Sequence, residues 1–150
     1  MIDDRPLGVF QTLADHLAER TRVVGRGIGP PRAEFVLYWL HHAMRAYENP
    51  ALDVAVTLAN QLELPLLVYQ AIPERYPYAS DRHHLFMLEG ARDLQEQFRQ
   101  RGITYALHLD RGNHRGPHLR ELCQRAAVAI TEEMPVEPLL KRTPICGIIL

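Results

Sequence analysis

Four short apolar runs, each followed by a helical pattern or a turn, constrain this chain more than any other feature. They are Glu34–Leu40, Leu64–Ala71, Tyr105–Leu109 and Ala127–Thr131. Near-continuous hydrophobicity in runs this short suits strands covered on both faces. Between them, Leu52, Ala55, Val56, Ala59 and Leu62 recur at helical spacing behind Asn49-Pro50. Asn is a good N-cap and Pro suits the first helical turn. Leu88, Ala91, Leu94 and Phe98 repeat at helical spacing after Ser80 or Asp81, and Gly102 ends that pattern. Phe86 and Met87 are assigned to the core with them by the same periodicity. Leu119, Leu122, Cys123 and Ala126 give a third, shorter helix. Strand-helix alternation of this kind predicts right-handed βαβ units. The expected fold is α/β, a three-layer, Rossmann-like, doubly wound parallel sheet of about five strands.

Within residues 139–150, apolar Pro144–Leu150 either adds a fifth strand or forms a divergent tail, and the sequence leaves both open. Ahead of the alternating region, Phe10, Leu13, Ala14 and Leu17 share one helical face within residues 9–20. Residues 21–33 hold Gly25, Gly27, Gly29, Pro30 and Pro31 and read as a linker. The expected organisation is thus an N-terminal helix and arm over 1–32 and one α/β domain over 33–150.

In sheets of this kind, ligands lie beyond the carboxyl ends of the strands, where strand order reverses. The loop after Leu40 is HHAMRAYEN and contains no glycine. No GxGxxG or GxxxxGK[ST] occurs, and GRGIG precedes the first run rather than following it. Ordinary dinucleotide and P-loop chemistry is therefore disfavoured. His41-His42 and His83-His84 are neighbours in sequence, so their side chains diverge and chelate poorly. Ser80, the one serine, sits in a capping context rather than in GxSxG. Glu132-Glu133 follow the fourth run and either orient a polar ligand or form a solvated turn. Arg45 is placed to pair with one of them, as a structural clasp or as part of a pocket. Tyr76, Pro77 and Tyr78 either stack on a flat ligand or cover the sheet edge.

The 150 residues are 47% hydrophobic and 23% charged, with a formal net charge of -1. That balance gives no global attraction to nucleic acid or anionic membrane. Cys123 and Cys146 lie far apart, which suits a reduced, cytoplasmic chain rather than a disulfide scaffold. MIDDRPLGVFQTL is not a secretory signal, and no run reaches the roughly 20 apolar residues of a membrane span.

Read together, FVLYWLHHAMRAYENPALDVAVTLANQLELPLLVYQAI, YPYASDRHHLFMLEGARDLQEQFRQRGI and AVAITEEMP resemble the N-terminal domain of DNA photolyases. The nearest branch is the class II cyclobutane pyrimidine dimer photolyases. Tyr38-Trp39-Leu40, Arg45, Asn49 and Ala51-Leu52 match one family segment. Arg82, Phe86, Leu88 and Gly90 match a second, and Glu132, Glu133 and Pro135 a third. Met44 stands where the family has a second arginine, and Leu139–Arg142 is shorter than the family's next helix.

The resemblance implies an antenna domain holding a light-harvesting chromophore, a deazaflavin or methenyltetrahydrofolate. The chromophore would sit at the strand ends, with His41, Arg45, Asn49, Glu132, Glu133 and Met134 as candidate binding residues. The family's deoxyribodipyrimidine photo-lyase activity repairs DNA by light-driven electron transfer from reduced FAD. FAD would belong to a further, helical C-terminal domain, which these residues do not include. Expected partners are then an FAD-bearing photolyase domain or a homodimer partner, with DNA reached only through the full-length enzyme. The competing reading is a stand-alone interaction or small-ligand module, with a weak fifth strand exposing an edge for pairing. A nucleotide-binding protein of the same architecture is a third.

Overall fold

The computed structural model describes residues 12–24, 29–112, 116, 118–133 and 148–149. Its elements in chain order are α1 (Asp15–Ala18), β1 (Arg22–Val23), β2 (Phe35–Trp39), α2 (Pro50–Leu62), β3 (Leu66–Pro73), α3 (Asp81–Gln100), β4 (Thr104–Asp110), α4 (His118–Arg125), β5 (Ala126–Thr131) and β6 (Ile148–Ile149). The strands form one sheet in the order β1-β6-β5-β2-β3-β4. Strands β2 to β6 run parallel, and β1 is antiparallel to β6. The expected α/β class is therefore observed. The edge beside β5 is filled, because Ile148–Ile149 pair with Ile130–Thr131 and Arg22–Val23 pair with Ile148–Ile149. Arg22–Val23 thus add a short strand inside the segment that reads as a linker.

The local signals for helix starts act as expected. The Asn49 side chain accepts the Leu52 amide at 3.2 Å, and Pro50 opens α2. The Ser80 hydroxyl accepts the His83 amide at 3.3 Å and opens α3. Gly102 follows α3 with φ +68, a conformation that costs glycine little. On one face of the sheet, α1, α2 and α3 bury Leu17, Leu52, Leu58, Leu94 and Phe98 against Val36, Tyr38, Val68 and Ile130. On the other face, α4 packs Leu119, Leu122 and Cys123 against a cluster that includes Phe35, Leu37 and Tyr69. These are the three layers.

Two expectations need correction. Phe86 is 73% exposed and Leu88 39%, so neither belongs to the core. Phe86 lies five positions before Ala91, about 140° round the helix, so it faces away from the buried stripe of Ala91, Leu94 and Phe98. Leu88 lines an open cavity at the ends of β3 and β4 rather than the packed layer.

Gly29 is a packing residue. Its amide donates to the Ala127 carbonyl at 2.7 Å. A Cβ there would lie 1.9 Å from the Ala126 carbonyl oxygen, which is rigid backbone. Gly29→Ala is expected to destabilise the domain by about 1–3 kcal/mol through overpacking. Urea denaturation of both proteins checks this, and an unchanged midpoint would remove the packing role.

Candidate functional site

Strand order reverses between β2 and β5, since the chain leaves β2 towards β3 and returns to its other side. The carboxyl ends of these two strands form the crevice where such sheets take ligands. Tyr38 stands at its base and is fully buried. Its hydroxyl donates to Glu132 Oε1 and accepts from Asn49 Nδ2 at 2.9 Å. Asn49 also donates to the carbonyls of Ala43 and Arg45 at 3.2 and 3.0 Å. Glu132 Oε2 accepts the backbone amides of His41 and His42 at 3.3 and 3.4 Å. The Thr131 hydroxyl donates to the Trp39 carbonyl at 3.1 Å. One carboxylate thereby ties the end of β5 to the end of β2 and to the crossover loop.

Burial pushes the Tyr38 hydroxyl well above the ordinary tyrosine range. The charge on Glu132 and the hydrogen bond to it push further, against Asn49 and Arg45. Burial also raises Tyr69, helped by the charge on Asp110. Tyr105 is pushed up to about 12 by burial.

The structure therefore brings together His41, Asn49 and Glu132 of the expected site residues. Arg45 is exposed, and among the described residues its side chain makes no ion pair. Its carbonyl, not its guanidinium, joins the network. Glu133 turns away from Arg45 to the sheet edge, where Arg22 donates to both its oxygens at 2.8 and 2.9 Å. Met134 lies outside the described residues.

Three rings form a ladder at the crevice. Trp39 stacks on His41 with centroids 4.3 Å apart, and His41 meets His42 at 4.1 Å. Met44 and Tyr47 are exposed in the loop that follows. Beside the crevice, a cavity of about 240 Å³ opens at the ends of β3 and β4, lined by Pro73, Glu74, His84, Leu88, Leu109 and Arg111. A second cavity of about 290 Å³ lies on the α4 face between Tyr69, His108, His118, Glu121 and Arg125. The rings of His108 and His118 meet there at 4.3 Å. The sequence reading missed this pair, since ten residues separate its members and only the crossover joins them. The Tyr76 hydroxyl bonds His83 Nδ1 at 2.7 Å, while Tyr78 is 96% exposed. Among the described residues, no group of three or more His, Cys, Asp or Glu side chains can hold a metal ion. No described helix is long and apolar enough to cross a membrane.

The sequence model of the DNA photolyase family matches residues 36–135, which hold the crevice and three of the four long strands in full. The chain belongs to the DNA photolyase family. A curated deoxyribodipyrimidine photo-lyase of Methanothermobacter thermautotrophicus (strain Delta H) is 36% identical over 93 residues, 62% of this chain. The chain spans only 21% of that relative's length. Among solved structures, a protein of the universal stress protein family from Burkholderia pseudomallei is similar, with a TM-score of 0.43 and 20% identity. That match covers 77% of this chain and 94% of the other.

Tyr38→Phe tests the junction in this photolyase-family domain. It leaves Glu132 and Asn49 short of a partner and is expected to cost about 1–3 kcal/mol at neutral pH. The sign of the pH effect follows from the raised tyrosine. Below about pH 10 both folded and unfolded chains keep the proton, so its contribution is fully present. Above that, the unfolded chain releases it first, and stability falls by about 1.4 kcal/mol per pH unit for each tyrosine held protonated. Urea midpoints between about pH 9 and 11 should therefore fall less steeply in Tyr38→Phe than in the parent, by one proton. Equal slopes would show that Tyr38 titrates normally.

Proposed function

We propose that this chain is the light-harvesting domain of a deoxyribodipyrimidine photo-lyase of class II type. It holds a deazaflavin or methenyltetrahydrofolate chromophore at the crevice between β2 and β5. The observation that carries this reading is the position of the ring ladder. Trp39 stacks on His41, and His42 meets His41 at a 47° tilt, at the switch point of the sheet and inside the segment matched to the photolyase family. The motif Tyr38-Trp39-Leu40 with Arg45 and Asn49 supports the class II branch.

The residues present fit a planar heteroaromatic group. Trp39 and His41 are half-buried, and the His42 ring lies tilted beside His41. Met44 and Tyr47 offer exposed apolar surface at the rim, and Arg45 offers a cation. When bound, such a chromophore supplies absorption of light and transfer of the excitation energy. The chain's own contribution is positional. Glu132 fixes the amides of His41 and His42, Asn49 fixes the carbonyls of Ala43 and Arg45, and the loop is held without moving parts. The carboxylate at the crevice, Glu132, is occupied by the Tyr38 hydroxyl and the loop amides, and Glu133 is occupied by Arg22 at the sheet edge, so on this reading they brace the fold rather than act as acid or base.

Repair chemistry belongs, on this reading, to an FAD-bearing helical domain, through which the full enzyme reaches DNA. The chain alone is expected to catalyse no repair. A second reading, an interaction module that reuses the fold, draws on one observation, the exposed leucines of β4, whose one strand neighbour among the described residues is β3.

Trp39 is the single tryptophan, so it reports directly on the crevice. Titration with a deazaflavin and with methenyltetrahydrofolate is expected to quench its emission and to shift the chromophore's absorption. His42→Ala or Arg45→Ala should weaken binding roughly 2- to 10-fold, the scale of one stacking or cation contact. Asn60→Ala, on the exposed side of α2, should leave it unchanged. A folded chain whose tryptophan responds to neither chromophore would overturn the antenna reading.

A further inference from the structure

The sheet ends on one side at β4, whose described strand neighbour is β3 alone. Thr104–Asp110 pair with β3 residue by residue, with no register break. The outer side of β4 therefore faces no described strand. Natural edge strands are usually blunted by lysine, proline, a bulge or shortness. TYALHLD has none of these. The opposite edge, β1, is only two residues long.

Apolar side chains collect along the same border. Leu107 is 38% exposed and Leu109 42%. They alternate with Ala106 and His108, so both share the α3 side of the sheet with Tyr105, which stacks on Phe98. Leu88 meets Leu109 in the cavity at the strand ends, and Leu85, one helical turn earlier, is 58% exposed.

We propose that β4 pairs antiparallel with β4 of a second copy of this chain, about a two-fold axis at Leu107. The strand is self-complementary in the one register that pairs all seven residues. Leu107 faces the partner copy's equivalent residue, Tyr105 faces the position of Leu109, and Ala106 faces that of His108. These are aromatic-aliphatic and apolar pairs of the stabilising kind. The strand's acidic residue, Asp110, falls opposite Thr104 and its histidine, His108, opposite Ala106, so no like charges meet. A shift by one residue would turn the leucines to the wrong face. Seven paired residues and their flanks bury on the order of 1,000 Å² in total, the low end for a specific contact. The expected dimer is therefore reversible and concentration-dependent. The inference stands on β4 and does not depend on chromophore binding.

Sedimentation of the 150-residue chain over about 1 to 200 µM should show a monomer-dimer equilibrium, as mass action requires. Leu107→Lys, at a half-exposed position, should leave the far-ultraviolet circular dichroism intact and raise the dissociation constant at least about tenfold, from charge at the two-fold axis. As an independent readout, Leu107→Cys in a Cys123→Ser, Cys146→Ser background should form a disulfide-linked dimer on mild oxidation. Asn60→Cys in that background should not. A monomer across the whole range would overturn the proposal, as would a dimer indifferent to Leu107→Lys without crosslinking of Leu107→Cys. An edge reserved for another segment or protein would give the monomer result.

Discussion

A buried hydroxyl must find partners, and here that need organises the sheet. Tyr38 lies in the apolar layer under α2 with no exposed surface. An unpartnered hydroxyl in such a place costs on the order of 1–3 kcal/mol. Asn49 and Glu132 supply both partners, and each is bound elsewhere as well. Asn49 is also the N-cap of α2, and Glu132 also receives the amides of the crossover loop. Strand β2, its loop, the start of α2 and the end of β5 are thus held by one connected network. Networks of this kind specify a unique arrangement because every member needs the others.

The same network explains a loop without glycine. In phosphate-binding α/β folds, glycines let backbone amides close on an external anion. Here the amides after β2 already have an anion, since His41 and His42 donate to Glu132. The protein supplies the carboxylate from its own β5. The crevice therefore offers a ligand rings rather than a nest of amides, which suits a flat aromatic group better than a pyrophosphate.

Much of this was legible in the sequence because it depends on short-range physics. Asn49-Pro50 and Ser80 announce helix starts through backbone amides three residues away. The four apolar runs announce strands through their short, near-continuous hydrophobicity, although only β2, β3 and β5 carry buried residues and β4 does not. What stayed hidden depends on distances across the fold. Arg22 and Glu133 are 111 residues apart, and their pairing appears only once β1 lies on β6. An apolar residue type does not by itself put Phe86 on the buried stripe of α3, nor does it show that Leu88 borders an open cavity rather than the packed layer. Gly29 reads as a loop residue until β5 passes against it. The acidic pair after β5 could not be divided by sequence at all. Glu132 turns inward to Tyr38 and Glu133 outward to Arg22, because successive residues at a strand end face opposite sides.

The topology also separates two surfaces. The crevice belongs to β2 and β5, at the middle of the sheet, while β4 is the outermost of the described strands on one side. Two strand spacings, about 10 Å, lie between β2 and β4. Pairing of two β4 edges would extend the sheet sideways in its own plane. It would leave the carboxyl ends of β2 and β5 uncovered in both copies, with the two β2 strands five spacings, or about 24 Å, apart. A ligand at the crevice and a partner at the edge therefore do not compete for surface. Among the described residues two elements touch both surfaces. β3 holds β2 on one side and β4 on the other, and α3 stacks Phe98 on Tyr105 of β4 while Arg101 donates to the Ala46 carbonyl of the crossover loop. The buried Val68, Tyr69 and Gln70 leave β3 little freedom to shift.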